Sequence, residues 1–435
     1  MTGVSKKLLL IIIFAFFIRL ISLNQSLWLD EAISSNAVKN YSYFDIITKF
    51  SPSDFHPPLY YLVLKTWTSV FGFSEISLRF PSIIFSLLTG YFVYLIGAKL
   101  KNKTIGLWSA TFFLFNPLII YYSQETRMYS LVVLLLTVAL HSYLTNRPKL
   151  FCLFSFLSFL TFYGSVFFIT AILIWQLSTR GLKKTFPFIW GILIAVILLF
   201  PLLKHQYLVS KTMVLAVPNW SLVLGKSNLK NLFMIPLKFA FGRISFYPKT
   251  IYYLVSGLWS LFIFIAALLF ASKFLSLIFF FPLIAALLVS FSSPMLQYFR
   301  YLYLIPVLGL LLSQIPNKLI KVILVSGFLS LSLIYLFLPQ YHREDWKSLS
   351  ASLPPQSTVY MVPSFSDPII YYRPDIIVKD INKIDNSVLK NITVIPYGFA
   401  IHGIDHKTKL SSLGFSQSSG SNYRELSKEF WQLLP

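Results

Sequence analysis

Acidic side chains are scarce in this chain: 15 Asp and Glu stand against 37 Lys and Arg, and the four types together make up only 12% of 435 residues. A soluble globular domain carries about 25% charged residues. One water-soluble core of this size is therefore excluded, as are a disordered polyelectrolyte and a coiled coil. Cysteine is nearly absent. Cys152 stands alone in an apolar run, which removes any internal disulfide and says little about redox compartment. Also missing are a Walker A loop, a dinucleotide-binding glycine fingerprint, an HExxH motif, a CxxC series and a Gly-x-Ser-x-Gly elbow. The chain thus gives no internal ATPase to power transport. What it has instead is apolar: 56% hydrophobic and 18% aromatic, the composition of a polytopic membrane protein.

The charge divides unevenly. Residues 1–338 hold 27 basic side chains and only six acids, Asp30, Glu31, Asp45, Asp54, Glu75 and Glu125, whereas residues 339–435 hold ten basic and nine acidic ones. The first part reads as membrane and the last as a small soluble domain. Most of the basic excess flanks apolar runs, which fits anionic headgroups and topology control better than nucleic acid.

The first run, Leu8–Leu27, follows Lys6 and Lys7 and is expected as a retained helix rather than a signal peptide, with its N-terminus cytoplasmic and Asp30 outside. Further spans are expected at 77–98, 105–121, 128–145, 150–162, 164–178, 185–203, 250–271, 274–292, 300–315 and 320–338, eleven in all. Their inner turns then collect Lys99/Lys101/Lys103, Arg147/Lys149, Arg180/Lys183/Lys184, Lys273 and Lys318/Lys321. The pivot is Tyr163-Gly164, where 150–178 splits into two short helices; one tilted helix there would invert everything after it. Residues 28–76 and 204–249 become large outer loops. The first carries interfacial helices, including part of Ile33–Phe50 and the stretch Pro57–Phe71, and the second an amphipathic helix near 229–242. The odd count puts 339–435 outside. Its strand-like pieces, Ser357–Val362, Ile376–Val378 and Val394–Tyr397, are separated by turn residues and suggest an α/β or mixed domain.

On this path all six acids of the membrane part face one side, which suggests a shared outer polar site. Trp28-Leu29-Asp30-Glu31 follows the first helix. Two adjacent acids there are a hydrated loop pair, a cation site, or a base that activates a hydroxyl while its neighbour orients the acceptor. Asp54-Phe55-His56-Pro57-Pro58-Leu59-Tyr60-Tyr61 has two prolines that fix the approach to a helix. Asp54 and His56 are either a capping Asp with an interfacial His, a hydrogen-bonded pair, or weak candidates for a metal site. Tyr60 and Tyr61 are sugar or lipid contacts or members of an aromatic belt. In Tyr121-Tyr122-Ser123-Gln124-Glu125-Thr126-Arg127-Met128-Tyr129, Arg127 offers a planar fork for phosphate. Gln124 and Glu125 bind sugar hydroxyls or position Arg127. The plainer reading is a Glu–Arg pair closing a membrane hairpin. Arg79 and Arg300 are headgroup-snorkelling residues or parts of an anionic donor site. The basic residues of 204–249 are expected to face lipid phosphate or water.

Four strings together resemble the integral-membrane GT-C glycosyltransferases, and more narrowly the bacterial and archaeal relatives of protein mannosyltransferases and lipid A aminoarabinose transferases. They are Trp28-Leu29-Asp30-Glu31-Ala32, Asp54-x-His56-Pro57-Pro58-Leu59-Tyr60-Tyr61, Gly72-x-Ser74-Glu75-x-x-x-Arg79-x-Pro81-Ser82 and Tyr122-Ser123-Gln124-Glu125-x-Arg127-Met128-Tyr129. The match is best over residues 1–145 and continues loosely through Arg300-Tyr301 and Pro306. Arg343-Glu344-Asp345-Trp346-Lys347 looks like the family's start of an outer C-terminal domain. The resemblance implies a polytopic all-α membrane fold at 1–338 and an extracytoplasmic domain at 339–435. It also implies a polyprenyl-phosphate sugar donor and transfer to an extracytoplasmic acceptor: a glycolipid, polysaccharide or protein.

Asp30 then matches the acidic position assigned to acceptor activation, in an inverting reaction, with Glu31 as an orienting residue. Arg127, Gln124, Glu125, Arg79 and Arg300 are the donor-binding set. Asp54, His56, Tyr60 and Tyr61 shape the acceptor side. The family does not uniformly require metal, so no cofactor is assigned beyond an open divalent cation at Asp54 and His56. One departure stands out: where relatives often carry a His-Tyr-like pair after the fifth helix, this chain has Phe162-Tyr163. A polyprenyl-lipid or oligosaccharide transporter, a flippase included, would also suit many apolar helices, as would a noncatalytic envelope-assembly scaffold. A transporter predicts charge across the membrane midplane, and a scaffold leaves the ordered motifs unexplained.

Overall fold

A computed structural model describes residues 6–384 and 390–434. Apolar segments in a membrane must satisfy their own backbone groups, so they fold as helices. Glu75–Leu100, Leu182–Ala216, Lys249–Leu268 and Lys318–Phe337 are long and apolar enough to cross a bilayer, which takes about 20 residues. Tyr129–Leu144, Pro148–Thr161, Ser165–Arg180, Lys273–Val289 and Tyr298–Ser313 are apolar but shorter. Length and composition therefore mark four full crossings among the described residues, fewer than the eleven spans expected.

The break at Tyr163-Gly164 is present, since one helix ends at Thr161 and the next begins at Ser165. Three boundaries differ from expectation. The first helix stops at Leu20, because Ser22 takes a left-handed φ of 56° and turns the chain toward the Leu29–Asn40 helix. Inside this first helix Arg19 is fully buried and donates to the carbonyls of Ala15 and Leu114 and to Ser86 Oγ. The 105–121 segment is two helices. Asn116 accepts from the N–H groups of Leu118 and Ile119 at 3.0 and 3.3 Å and starts the short Pro117–Tyr122 helix, with proline in its first turn. Finally, the Leu182–Ala216 helix runs well past residue 203, so 204–216 is helical rather than loop. The helices expected near the ends of the two loops are present as Leu59–Phe71 and Leu229–Phe241.

After Phe337 the chain builds a five-stranded sheet: β1 (Thr358–Met361), β2 (Ile377–Asp380), β3 (Asn391–Val394), β4 (Phe415–Tyr423) and β5 (Leu426–Leu433). The order is β2-β1-β3-β5-β4, parallel across β2-β1-β3 and antiparallel from β3 to β4. The sheet is mixed: the short Asp367–Tyr372 helix lies between β1 and its parallel neighbour β2, and a tight hairpin joins the antiparallel pair β4–β5. Its core, centred on fully buried Trp346, Val359, Met361 and Ile369, also takes in Leu29. The sheet is thus packed onto the helix that carries Asp30. Cross-bonds reinforce the contact: Asn36 Nδ2 donates to Asp367 Oδ1 at 2.8 Å, Lys347 Nζ to Glu75 Oε1 at 2.8 Å, and Tyr371 OH to the carbonyl of Phe73 at 2.6 Å.

Candidate active site

The Leu29–Asn40 helix opens with two acids in its first turn, where the exposed N–H groups favour negative charge. At 3.6 residues per turn, neighbouring side chains leave a helix about 100° apart, so Asp30 and Glu31 meet different surroundings. Glu31 turns inward. Its two oxygens accept from Arg79 Nε and Nη2 at 2.8 and 2.6 Å, and Oε1 also accepts from the Thr126 N–H at 2.8 Å. Arg79, 1% exposed, spends its remaining donors on the carbonyls of Leu23, Gln25 and Ser26. All five of its N–H groups are engaged within the protein, which leaves none for a phosphate. Gln124 has spent its donors but not its acceptor: Nε2 donates to the carbonyls of Arg19 and Ile21 at 2.9 and 2.7 Å, while Oε1 is buried without a partner.

Asp30 turns the other way. Its side chain is 33% exposed and its Oδ2 lies 3.7 Å from Arg127 Nη2. Arg127 is buried but loosely held. Nη1 makes only long contacts, 3.4 Å to the Asp30 carbonyl, 3.3 Å to Ser34 Oγ and 3.4 Å to Tyr61 OH, and Nε has no partner. The Tyr61 hydroxyl donates to Asp54 Oδ2, which also meets His56 Nδ1 at 3.1 Å. Asp30, Arg127, Tyr61, Asp54 and His56 therefore form one polar chain drawn from three separate motifs. Among the described residues no three His, Cys, Asp or Glu side chains converge as a metal set. The Asp54–His56 pair offers two ligands, and both are already bonded to each other.

A second cationic wall stands beside Tyr121. Arg343 lies over the Trp28 ring at 3.7 Å from its centroid and over Tyr121 at 5.5 Å, while Arg243 covers Tyr121 at 5.2 Å. Arg343 also donates to the Tyr121 hydroxyl and reaches Glu125 Oε1 at 3.3 Å. Arg243 donates one bond, to Tyr298 OH at 2.7 Å. Arg300, on the same 3-10 turn as Tyr298, spends one donor on the Pro294 carbonyl at 3.2 Å. Arg243 is aimed by its neighbour Gly242, which closes the Leu229–Phe241 helix at a φ of 70°. A Cβ there would come within 2.9 Å of Pro117, so the turn suits glycine. Asn116 fastens that helix by donating to the Phe239 carbonyl at 2.8 Å. Glu125 is the acid facing this wall. Burial pushes its carboxyl above the ordinary range, against the opposing pull of Arg343.

Trp28 Nε1, Tyr60 OH, Tyr122 OH, Glu125 Oε2, Thr126 Oγ1 and Arg127 Nε are all buried without a hydrogen-bond partner. Native proteins seldom leave such atoms unpaired, and here they gather around Asp30, Arg127 and Tyr121. The sequence motifs brought Asp30, Asp54, His56, Tyr60, Tyr61, Glu125 and Arg127 to this region. They also included Arg79, Glu31 and Gln124, which form the bracing behind it. Arg243 and Arg343 were not among the expected site residues. A glycine-arginine step ending an amphipathic helix, and the first arginine after the last apolar run, were the signals present for them.

The helical bundle with its appended mixed sheet has the fold of solved ArnT structures. In particular, the chain superposes on ArnT from Cupriavidus metallidurans in the apo state with a TM-score of 0.60 at 12% identity, over 97% of both chains. The same enzyme bound to undecaprenyl phosphate gives 0.59 at 12% identity, again over 97% of each chain. An oligosaccharyltransferase from Archaeoglobus fulgidus, in complex with Zn and sulfate, aligns at 0.45 and 11% identity over 88% of this chain and 67% of its own. Residues 55–205 match the family model for dolichyl-phosphate-mannose-protein mannosyltransferase. No curated protein matches the sequence.

Proposed function

We propose that the chain is a multi-pass membrane glycosyltransferase that takes a sugar from a polyprenyl-phosphate donor and passes it to an extracytoplasmic acceptor. Its N-terminus is cytoplasmic, and the site and the C-terminal domain, residues 339–435, lie outside. The observation that carries this reading is the pairing of one accessible carboxylate, Asp30, with under-bonded guanidinium groups at Arg127, Arg243 and Arg343 around unpartnered buried polar atoms. Cations with spare donors are what a departing phosphate needs. An accessible carboxylate is what an attacking hydroxyl needs.

In the proposed reaction the acceptor oxygen attacks the anomeric carbon while the bond from that carbon to the phosphate oxygen breaks. The bonding pair leaves on the phosphate, whose growing charge is met by Arg243 and Arg343, with Arg127 and Arg300 beside them. The hydroxyl proton passes to Asp30. Attack opposite the leaving group inverts the anomeric centre. Asp54 and His56 hold Tyr61, and Tyr61 helps hold Arg127, so this chain positions rather than reacts. Glu31, Arg79 and Gln124 brace the helix start and the 123–127 turn.

Reconstitution with labelled polyprenyl-phosphate sugars, both hexosyl and pentosyl, and a panel of glycolipid, polysaccharide and peptide acceptors tests the reading. Covalent transfer is expected. Movement of the lipid across vesicles without any covalent product would replace it with a transporter.

A further inference from the structure

Beyond the reaction centre, a cleft of about 480 Å³ opens beside the β4–β5 hairpin of the C-terminal sheet, lined by Tyr397, Gly398, Asn422, Tyr423, Glu425 and Ser427 among others. Tyr423 pairs with Leu426, so Arg424 and Glu425 form a two-residue turn. Glu425 takes a φ of 59°, a conformation that favours glycine or asparagine and costs a glutamate. The turn is held in that place. Arg424 Nε donates to the Arg343 carbonyl at 2.7 Å, and the Asp345 N–H donates to the Arg424 carbonyl at 3.1 Å. The hairpin tip is therefore fastened to the residues on either side of Glu344, directly beside the Arg343 that faces the reaction centre.

Glu344 is 7% exposed. Its Oε1 accepts from Tyr397 OH at 3.0 Å, while Oε2 is buried without a partner. Burial, and then the charge of Glu344, holds both the Glu425 carboxyl and the Tyr397 phenol above their ordinary ranges. Tyr397 thus ties the cleft to Glu344, next in the chain to the Arg343 that lies over Trp28. Gly398 completes the floor at a φ of 77°, where a Cβ would meet the Phe365 ring at 1.9 Å.

We propose that this cleft is the acceptor subsite and that it takes an uncharged, hydroxyl-rich glycan. The proposal rests on the transferase reading above and gives its acceptor a chemical class. Tyrosine rings offer amphipathic faces for a sugar, Asn422 and Ser427 offer both donors and acceptors, and Glu425 accepts from hydroxyl groups. Glu425 is the charged residue of the lining, so a phosphate-bearing headgroup placed there would meet like charge and lose its hydration.

The test uses the full chain in lipid nanodiscs, with neutral oligosaccharides, a Ser/Thr peptide and a phosphorylated disaccharide headgroup as separate probes, read by saturation-transfer NMR and by transfer assays. Neutral glycan binding is expected to win. Glu425→Gly removes the carboxylate while keeping a residue the turn's backbone favours. It is expected to raise the acceptor KM about tenfold, as loss of one charge-assisted hydrogen bond would, with kcat and donor binding unchanged. Tyr397→Phe should weaken glycan binding in the same direction. Preference for the peptide or the phosphorylated headgroup would overturn the proposal, as would an acceptor KM unmoved by Glu425→Gly. Glycan binding with no turnover of any lipid-phosphate sugar would sink the transferase reading and leave the cleft standing as a glycan site.

Discussion

The two faces of the Leu29–Asn40 helix treat adjacent carboxylates in opposite ways. Toward the bundle, Glu31 and Arg79 form a sealed bidentate pair in which every guanidinium N–H has a partner. On its more exposed face, Asp30 stands 3.7 Å from an Arg127 whose contacts are long and whose Nε is unpaired. Both are acid–arginine pairs at the same helix end. Completeness of hydrogen bonding separates them: a saturated buried pair has nothing left to offer a substrate, whereas an under-bonded one can exchange its contacts for a ligand's.

The largest effect that would sharpen this contrast is at Asp30. Asp30→Asn keeps the side-chain shape and removes the proposed base, and a positioned general base is worth roughly 10²–10⁴ in rate. Turnover should fall by that order with folding and donor binding intact; full activity in the variant would remove Asp30 from its proposed role. Next come Arg243→Ala and Arg343→Ala. Each takes away a cation proposed to meet the leaving phosphate and should lower kcat by about 10²–10³, while Arg300→Ala, more peripheral to Tyr121, should cost less. Equal losses across the three would mean that the wall beside Tyr121 has no special place.

Glu31→Gln probes the sealed face. Breaking one side of a buried ion pair costs about 3–5 kcal/mol of stability, so the unfolding midpoint in detergent should drop sharply. The surviving folded fraction should retain its catalytic constants. A normal midpoint with a large loss of kcat would move Glu31 to the reactive side.

The smallest effect expected is at Glu125. Its carboxyl is held above the ordinary range by burial, so between the unfolded and folded pKa values the native state binds more protons than the unfolded chain. Stability therefore falls as pH rises through that window and is flat outside it. Glu125→Gln should flatten the slope, which thermal unfolding measured across pH would reveal.

The apolar runs and their breaks were legible because bilayer burial imposes length and helicity residue by residue. Thus the split at Tyr163-Gly164 and the helices Leu59–Phe71 and Leu229–Phe241 follow their local patterns. Boundaries set by single backbone choices were not legible: the left-handed Ser22 ends the first helix early, and Pro201 does not end the Leu182–Ala216 helix. At the candidate site, the acidic and arginine motifs lie together in space, but hydropathy is silent on which cation keeps free donors. Arg79 matched a motif and is saturated, while Arg243 sat among loop lysines and faces Tyr121.

By itself the sequence determined the membrane class, the concentration of acids in residues 30–125 and a polar tail able to form strands. Those properties are sums over local composition. Tertiary structure alone decided that Asp30 is open and Glu31 sealed, and that Arg243 and Arg343 share one tyrosine. It also decided that the C-terminal sheet packs onto the helix bearing Asp30. Each of these depends on which groups distant in the chain meet, and on whether their hydrogen bonds are already spent.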